Sequence, residues 1–368
     1  MVAAILFISF AVLLLMGAPI AVCLGTSSVV AMIAQGAGRP LDTVMSSLPM
    51  IVSASTSKFV LLAIPFFILA GNIMEKAGIS EKLIKLAEAC VGHIRGGLAI
   101  VCVIVSCFFA AISGSGPATV AALGVIVVPA MIKSGYKPAF SAALMAAAGA
   151  IGVIIPPSIT FVVYGSIADT SIGELFIAGL IPGLLMGAAL MVVALVVGRK
   201  SGLKTLPKAG KKERWLAFKD AFWGLMMPVI ILGGIYGGIF TPTEAAAVSV
   251  VYGLFVGVFV YKKIRLKEFY AILLDTTSTT ATVMFITAAA SLFAYVLTRA
   301  RLDVAISSAL QSATGGNVIV FFIIVNIILL IAGCFLDSTS ALYIFTPLFV
   351  PVAQALGVDL IHLGVVMI

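Results

Sequence analysis

Apolar residues fill run after run of this chain, and the polar positions gather between the runs instead of alternating within them. At 1.5 Å per helical residue, a run of about 18 or more crosses a hydrocarbon core about 30 Å thick. Spans are expected near 3–17, 18–35, 50–74, 139–167, 180–198, 222–239, 243–261 and 272–298, the first of them the shortest. No stretch shows the in-and-out alternation of a barrel strand, and in lipid only helices or closed barrels satisfy their own backbone. The pattern therefore predicts an all-α polytopic membrane protein.

Two segments break the pattern. Residues 97–134 and 316–357 each hold two short apolar limbs around a polar tip, Ser113-Gly114-Ser115-Gly116 in the first and Asp337-Ser338-Thr339-Ser340 in the second. Limbs this short, interrupted by glycine and hydroxyl residues, suggest re-entrant hairpins at least as strongly as full crossings. Segment 79–92 places charged residues at helical spacing among apolar ones and reads as a helix lying along the membrane interface. Its counterpart, Leu302 to Leu310, is expected on the opposite face.

The chain also reads as two copies of one unit. Gly17-Ala-Pro19, Gly78-Ile-Ser80 and Val127-Val-Pro129 align with Phe240-Thr-Pro242, Arg301-Leu-Asp303 and Phe349-Val-Pro351 at a near-constant offset of 222 or 223 positions. The expected division is a first inverted repeat over 1–198, with hairpin 97–134 and broken helix 139–167, a basic cytoplasmic loop over 199–221, and a second inverted repeat over 222–368 with hairpin 316–357. In the second copy the equivalent of the Pro156-Pro157 break falls beyond Ile368, so that copy is expected to be truncated at its C-terminus.

Composition agrees with the pattern: 62% of residues are apolar and 10% charged, against about 25% charged in soluble domains. The net charge of +8 sits between spans, without the aromatic-interleaved patches of a nucleic-acid surface, and so reads as a topology signal. Eight of the 22 basic residues lie in 199–220, which places that loop in the cytoplasm. With the hairpins counted as non-crossing, 18 of the 22 fall on the cytoplasmic side; Arg39, Arg299 and Arg301 fall outside, and Lys58 lies within or near a span. The N-terminus is then external and the repeats have opposite orientation. Val2 to Leu15 lacks the charged flank of a signal peptide and reads as a retained span. The five cysteines show no paired spacing, so free buried thiols are expected, with no disulfide or transition-metal site.

The tip Ser113-Gly114-Ser115-Gly116-Pro117-Ala118-Thr119 favours a turn that exposes carbonyls and amides at membrane depth, with Pro117 suited to a helix start. Irregular backbone is tolerated there only where it is buried in protein or lines a cavity. Unwound carbonyls with Ser and Thr hydroxyls can ligate a bare cation, and the helix start suits an anionic group. Close packing through small residues accounts for the same sequence. Gly152-Val-Ile-Ile-Pro156-Pro157-Ser158 removes two backbone donors and opens the next span, either as a binding-site break or as a simple kink. Asp337 is the only acid between Asn317 and Gly357; it is a functional candidate if held within the membrane, or a helix cap if the tip reaches water. Thr241-Pro-Thr-Glu244 reads as a helix start, and His93 and His362 as interfacial residues. No phosphate loop, HExxH or GxSxG is present. The faint suggestion of an intramembrane hydrolase at Ser113 lacks a histidine base, so the chain is not expected to be an enzyme.

Leu61-Leu-Ala-Ile-Pro-Phe-Phe-Ile-Leu-Ala-Gly71, Ser113 to Thr119, Ile154-Ile-Pro-Pro-Ser158 and Gly237-Gly-Ile-Phe-Thr-Pro-Thr-Glu-Ala-Ala-Ala247 together resemble the large membrane subunit of tripartite ATP-independent periplasmic (TRAP) transporters. The resemblance spans essentially the whole chain. It implies a secondary transporter of the bacterial inner membrane with an elevator-type ion-transporter fold, importing an organic acid such as a C4-dicarboxylate or a sialic acid by Na⁺ symport. No cofactor is implied beyond Na⁺ as coupling ion. The implied partners are a small four-helix membrane subunit and a periplasmic substrate-binding protein, with membrane lipid around the chain and no nucleic acid. One Na⁺ clamp is implied at Ser113, Gly114, Ser115, Gly116, Thr119, Gly152, Pro156, Pro157 and Ser158, and a second involving Asp337, Ser338 and Thr339. Substrate would lie between them, near Ser115, Ser158, Ser338, Thr339 and Ser340. A stand-alone carboxylate transporter of the same architecture, needing no binding protein, is the nearest alternative.

Overall fold

The computed structural model describes residues 2–36, 38, 40–200 and 205–368, so Arg39 and part of the expected 199–221 loop lie outside the described residues. Among the described residues every regular element is helical. In chain order these are α1 Val2–Leu15, α2 Ile20–Gln35, α3 Leu41–Met45, α4 Leu48–Thr56, α5 Ala63–Lys76, α6 Ile79–Val91, α7 Gly97–Ser113, α8 Gly116–Lys133 and α9 Pro138–Ala150. They continue as α10 Ile159–Ala168, α11 Ile172–Lys200, α12 Lys211–Tyr236, α13 Pro242–Phe255, α14 Leu266–Arg299, α15 Leu302–Thr314, α16 Val318–Gly333, α17 Ser338–Ala355 and α18 Leu360–Met367. Six helical stretches among them are long and apolar enough to cross a membrane.

Two compact units interleave along the sequence. One comprises Leu62–Val162 and Ile172–Thr277; the other comprises Met1–Leu61, Val163–Ser171 and Ser278–Ile368. The first holds the Ser113 tip and is built around α7, which packs against α5, α6, α8, α9 and α11. Most of α7 from Gly97 to Ser113 is buried, as suits a helix apolar on every side. Helix α6 lays Ile79, Leu83, Ile84 and Ala87 inward and packs on α12. Glu81 at its start pairs with Lys263 at 3.2 Å.

The unit that holds the Asp337 tip joins α1 and α2 to the second half of α14 and to α15–α18. Phe7 and Phe10 meet Phe293, at ring-centroid distances of 5.9 and 5.8 Å. The Tyr343 hydroxyl of α17 donates to Thr287 Oγ1 at 2.8 Å. Tyr164, fully buried, donates to the Leu360 carbonyl at 2.6 Å and so anchors α18. The ring of His362 lies 4.8 Å from that of Phe322. Inside α17 stand two prolines, Pro347 and Pro351.

Several expectations are corrected. The stretch 50–74 is not one helix: α4 ends at Thr56 and a 3₁₀ turn over Phe59–Leu62 leads into α5. Hydroxyls there fold back on the backbone, Ser55 and Thr56 both donating to the Val52 carbonyl at 2.9 and 2.8 Å, and the Lys58 ammonium donates to the Ser166 carbonyl at 2.6 Å. Helix enters the 199–221 segment from both sides: α11 runs to Lys200 and α12 starts at Lys211, where the Glu213 carboxylate accepts from Gly210 N at 2.8 Å. Its Lys, Arg, Glu and Ala residues are good helix formers, which charge counting overlooks. Helices α1 and α2, of 14 and 16 residues, span only about 21 and 24 Å. Not all thiols are buried: Cys90 and Cys334 are exposed.

Candidate functional site

In the first unit the apolar run of α7 ends because Gly114 turns the chain. Its φ of +63° is open to glycine at little strain, and its N–H closes the helix on the Ala110 carbonyl at 2.8 Å. Ser115 follows in extended conformation as the N-cap of α8, its hydroxyl facing Ala118 N at 3.5 Å. Ser113, Gly114, Ser115 and Gly116 thus form a tight reversal between two helix ends. The sequence places Pro117 in the first turn of α8, where a missing N–H is harmless.

Forty residues on, α9 ends at Ala150, a 3₁₀ turn covers Ile151–Val153, and α10 starts at Ile159. Pro156 and Pro157, joined by a cis peptide bond, hold the intervening chain out of a helix. The break lies directly on the hairpin tip. Ile159 N donates to the Gly114 carbonyl at 3.1 Å, and a Cβ on Gly114 would lie 2.7 Å from the Pro157 carbonyl oxygen. From the other side a Cβ on Gly152 would stand 3.1 Å from Thr119 Oγ1 and 3.2 Å from Gly116 N. Glycine at 114 is therefore a condition of this contact, and at 152 a side chain would press on the tip.

Two groups of three oxygens, one on the tip and one on the break, bond among themselves without a carboxylate. Thr119 Oγ1, fully buried, donates to the Ser115 carbonyl at 2.8 Å and lies 3.1 Å from Ser113 Oγ. Ser158 Oγ, also fully buried, donates to the Val153 carbonyl and lies 2.8 Å from Thr160 Oγ1, which reaches the same carbonyl at 3.1 Å. Hydroxyls and carbonyls at helix ends are hard oxygen donors with no fixed charge, the type of ligand that alkali cations accept. Of the residues expected here, Ser113, Gly114, Gly116, Thr119, Gly152, Pro156, Pro157 and Ser158 are buried, and Ser115 is half-buried.

Two participants escaped the sequence reading. Thr160 sits one residue into α10, where a hydroxyl looks like ordinary helix sequence. Gly71 of α5 backs the tip: its Cβ would lie 3.2 Å from Ser113 Cα. The Leu61–Gly71 motif contains that glycine, but nothing in sequence spacing ties it to Ser113.

The second tip lies in the other unit. Asp337 is the N-cap of α17: Oδ2 accepts from Thr339 N at 3.0 Å and from Ser340 N at 3.3 Å, while Oδ1 accepts from the Ser340 hydroxyl at 2.5 Å. Asp337 and Ser338 are exposed, Thr339 is half-buried and Ser340 is fully buried. Both carboxylate oxygens are engaged in capping. Glu244 accepts from Thr241 N at 2.8 Å in a capping box at the start of α13, so this helix start stands where the sequence places it. Among the described residues no group of three His, Cys, Asp or Glu side chains is placed to hold a metal ion.

Over residues 7–368 the sequence matches the family described as Tripartite ATP-independent periplasmic transporter, DctM component. It is 48% identical over 315 residues to the C4-dicarboxylate TRAP transporter large permease protein DctM of Pseudomonas aeruginosa, covering 85% of this chain and 73% of that protein. It is 42% identical over 310 residues to the sialic acid TRAP transporter large permease protein SiaM of Vibrio cholerae, covering 84% of this chain and 72% of that one. Among solved structures the Alcanivorax borkumensis YdaH transporter aligns at a TM-score of 0.56 with 14% identity, covering 98% of this chain and 84% of that chain. That likeness is one of fold.

Proposed function

The chain belongs to the DctM-component family of TRAP transporters, and from that premise we propose that it is the large membrane subunit of a Na⁺-coupled importer of an organic acid. The relatives are named transporter permeases, and the chain is a multi-pass transport protein, not an enzyme. The proposal adds residence in the bacterial inner membrane with a periplasmic N-terminus, a small four-helix membrane subunit as partner, and delivery of substrate by a periplasmic binding protein. It also adds inverted repeats over 1–198 and 222–368 that work as an elevator. The cargo is a C4-dicarboxylate or a sialic acid, the classes named for the Pseudomonas and Vibrio relatives.

One observation supports the Na⁺ assignment: the 3.1 Å bond from Ile159 N to the Gly114 carbonyl, which joins the hairpin tip to the broken helix, each carrying a group of uncharged oxygens. In this reading Ser113, Ser115, Thr119, Ser158 and the Val153 carbonyl turn from one another to the cation, and Thr160 joins them. Gly116, Gly152, Pro156 and Pro157 shape the clamp. The fully buried Ser158 serves the ion, whereas the half-buried Ser115 can also meet substrate. On the second tip Asp337, Ser338 and Thr339 form the other ion clamp, and Ser338, Thr339 and Ser340 offer hydroxyls to the acid. A cation that orders the tips favours substrate binding, and substrate then favours the cation by the same factor.

The test is uptake of radiolabelled candidate acids into proteoliposomes holding the assembled transporter. Omitting Na⁺, or the binding protein, is expected to reduce uptake at least about tenfold, the size of a coupling near 1.4 kcal/mol. Ser115→Ala with Thr119→Ala is expected to weaken Na⁺ activation while leaving assembly intact. Uptake indifferent to Na⁺ would overturn the coupling, and uptake indifferent to the binding protein would assign the chain to the stand-alone class.

A further inference from the structure

An unbroken chain of aromatic rings crosses the exposed face of α12, α13 and the π-helical turn Val256–Val260 that follows it. Trp215 meets Phe218 at 5.7 Å between centroids, Phe218 meets Phe222 at 6.1 Å, and Phe222 meets Trp223 at 5.9 Å. From Trp223 the contact passes to Phe255 at 6.4 Å and on to Phe259 at 5.7 Å. All six rings are exposed, from 36% for Phe222 to 66% for Phe259. The Tyr252 hydroxyl donates to the Trp223 carbonyl at 2.7 Å, which fixes the two helices in this register.

Cations collect where the two limbs of the strip return to one level. The Tyr261 hydroxyl donates to the Asp220 carbonyl at 2.8 Å, and the sequence neighbours Lys219 and Lys262 flank that bond. Lys82 of α6 holds its ammonium 4.3 Å from the Tyr261 ring centroid. Lys262 adopts φ +52°, a left-handed turn, and both it and Lys219 are exposed. Lys263 is paired with Glu81, and Asp220 offsets one further charge, so the four lysines keep a surplus of two.

We propose that this face seats an anionic phospholipid, its acyl chain against the rings that lead from Phe222 and Phe259 to Trp223 and Phe255 and its phosphate among Lys82, Lys219 and Lys262. A ligand that fits must be apolar over most of its length and negative at one end, and an anionic lipid has that form. Aromatic rings with lysines at one level are the usual elements of headgroup recognition, and each cation near the surface adds to the attraction. A zwitterionic lipid gains the contact with the rings but not the charge.

Trp215 and Trp223 are the two tryptophans of the chain, so intrinsic fluorescence reads this face directly. The full-length permease is placed in phosphatidylcholine vesicles carrying increasing fractions of either dibrominated phosphatidylglycerol or dibrominated phosphatidylcholine. Half-maximal quenching is expected at an about tenfold lower mole fraction of the anionic lipid. Lys219→Gln with Lys262→Gln is expected to bring the two curves together, and Lys219→Arg with Lys262→Arg to keep them apart. Salt at about 1 M, applied to the unaltered protein, is expected to erase the preference. Equal quenching by the two lipids, or a preference that survives high salt, overturns the proposal. So does the absence of quenching by either lipid when the small membrane subunit is present, which would give this face to that protein.

Discussion

The two hairpin tips solve one problem in opposite ways. Each must end two helices inside an apolar segment and satisfy the freed backbone groups. At Ser113–Gly116 the solution is tertiary: the Gly114 carbonyl takes its donor from Ile159, and the side chains bond one another in a buried cluster. At Asp337–Ser340 it is local, since one carboxylate caps the next helix by itself and stays exposed. A tip built from its neighbours changes when they move, whereas a self-capped tip keeps its form.

Substitutions at the two tips should separate accordingly. Gly114→Ala carries the largest expected effect: it forces an alanine into left-handed backbone and a methyl against the Pro157 carbonyl. A loss of about 2–4 kcal/mol is expected, read as a large fall in melting temperature together with lost uptake. Thr119→Val keeps the volume but removes the hydroxyl shared by Ser113 and the Ser115 carbonyl. It is expected to cost about 1–3 kcal/mol and to raise the Na⁺ concentration needed for half-maximal uptake. Asp337→Ala should cost about 1 kcal/mol as a lost cap, while Asp337→Asn keeps the cap. If Asn lowers uptake at unchanged melting temperature, the charge itself serves transport. Gly333→Ala, where nothing lies within 4 Å of the added methyl, should be neutral or stabilise by about 0.5–1 kcal/mol. A melting temperature that falls as far for Gly333→Ala as for Gly114→Ala would erase the contrast between the tips.

Much of this contrast could be read from the chain. The Gly-rich and acidic tips stand out because their residue types have few other uses in an apolar run, and Pro156-Pro157 marks the break for the same reason. Asp337 left two readings open; the structure engages its carboxylate in a cap. What stayed hidden depends on distances between remote residues. The contact of Gly71 with Ser113 and the bond of Lys58 to the Ser166 carbonyl have no signature at helical spacing. In the 199–221 segment the lysines and the glutamate that mark a basic connection also favour a helix, and α12 begins within it at Lys211. Nor does sequence order anticipate that the compact units interleave, since compactness follows packing and not position along the chain.

The prolines within α17 carry a consequence of their own. Pro347 and Pro351 offer no N–H to the carbonyls of Tyr343 and Pro347, so two successive rungs of the helix ladder are missing on one side. Curvature is inexpensive there, as it is not in α7, which has no proline between Gly97 and Ser113. The stems differ only in degree: α8, the limb after the tip in the first hairpin, loses one rung at Pro129 where α17 loses two, so in each hairpin it is the limb after the tip that can bend.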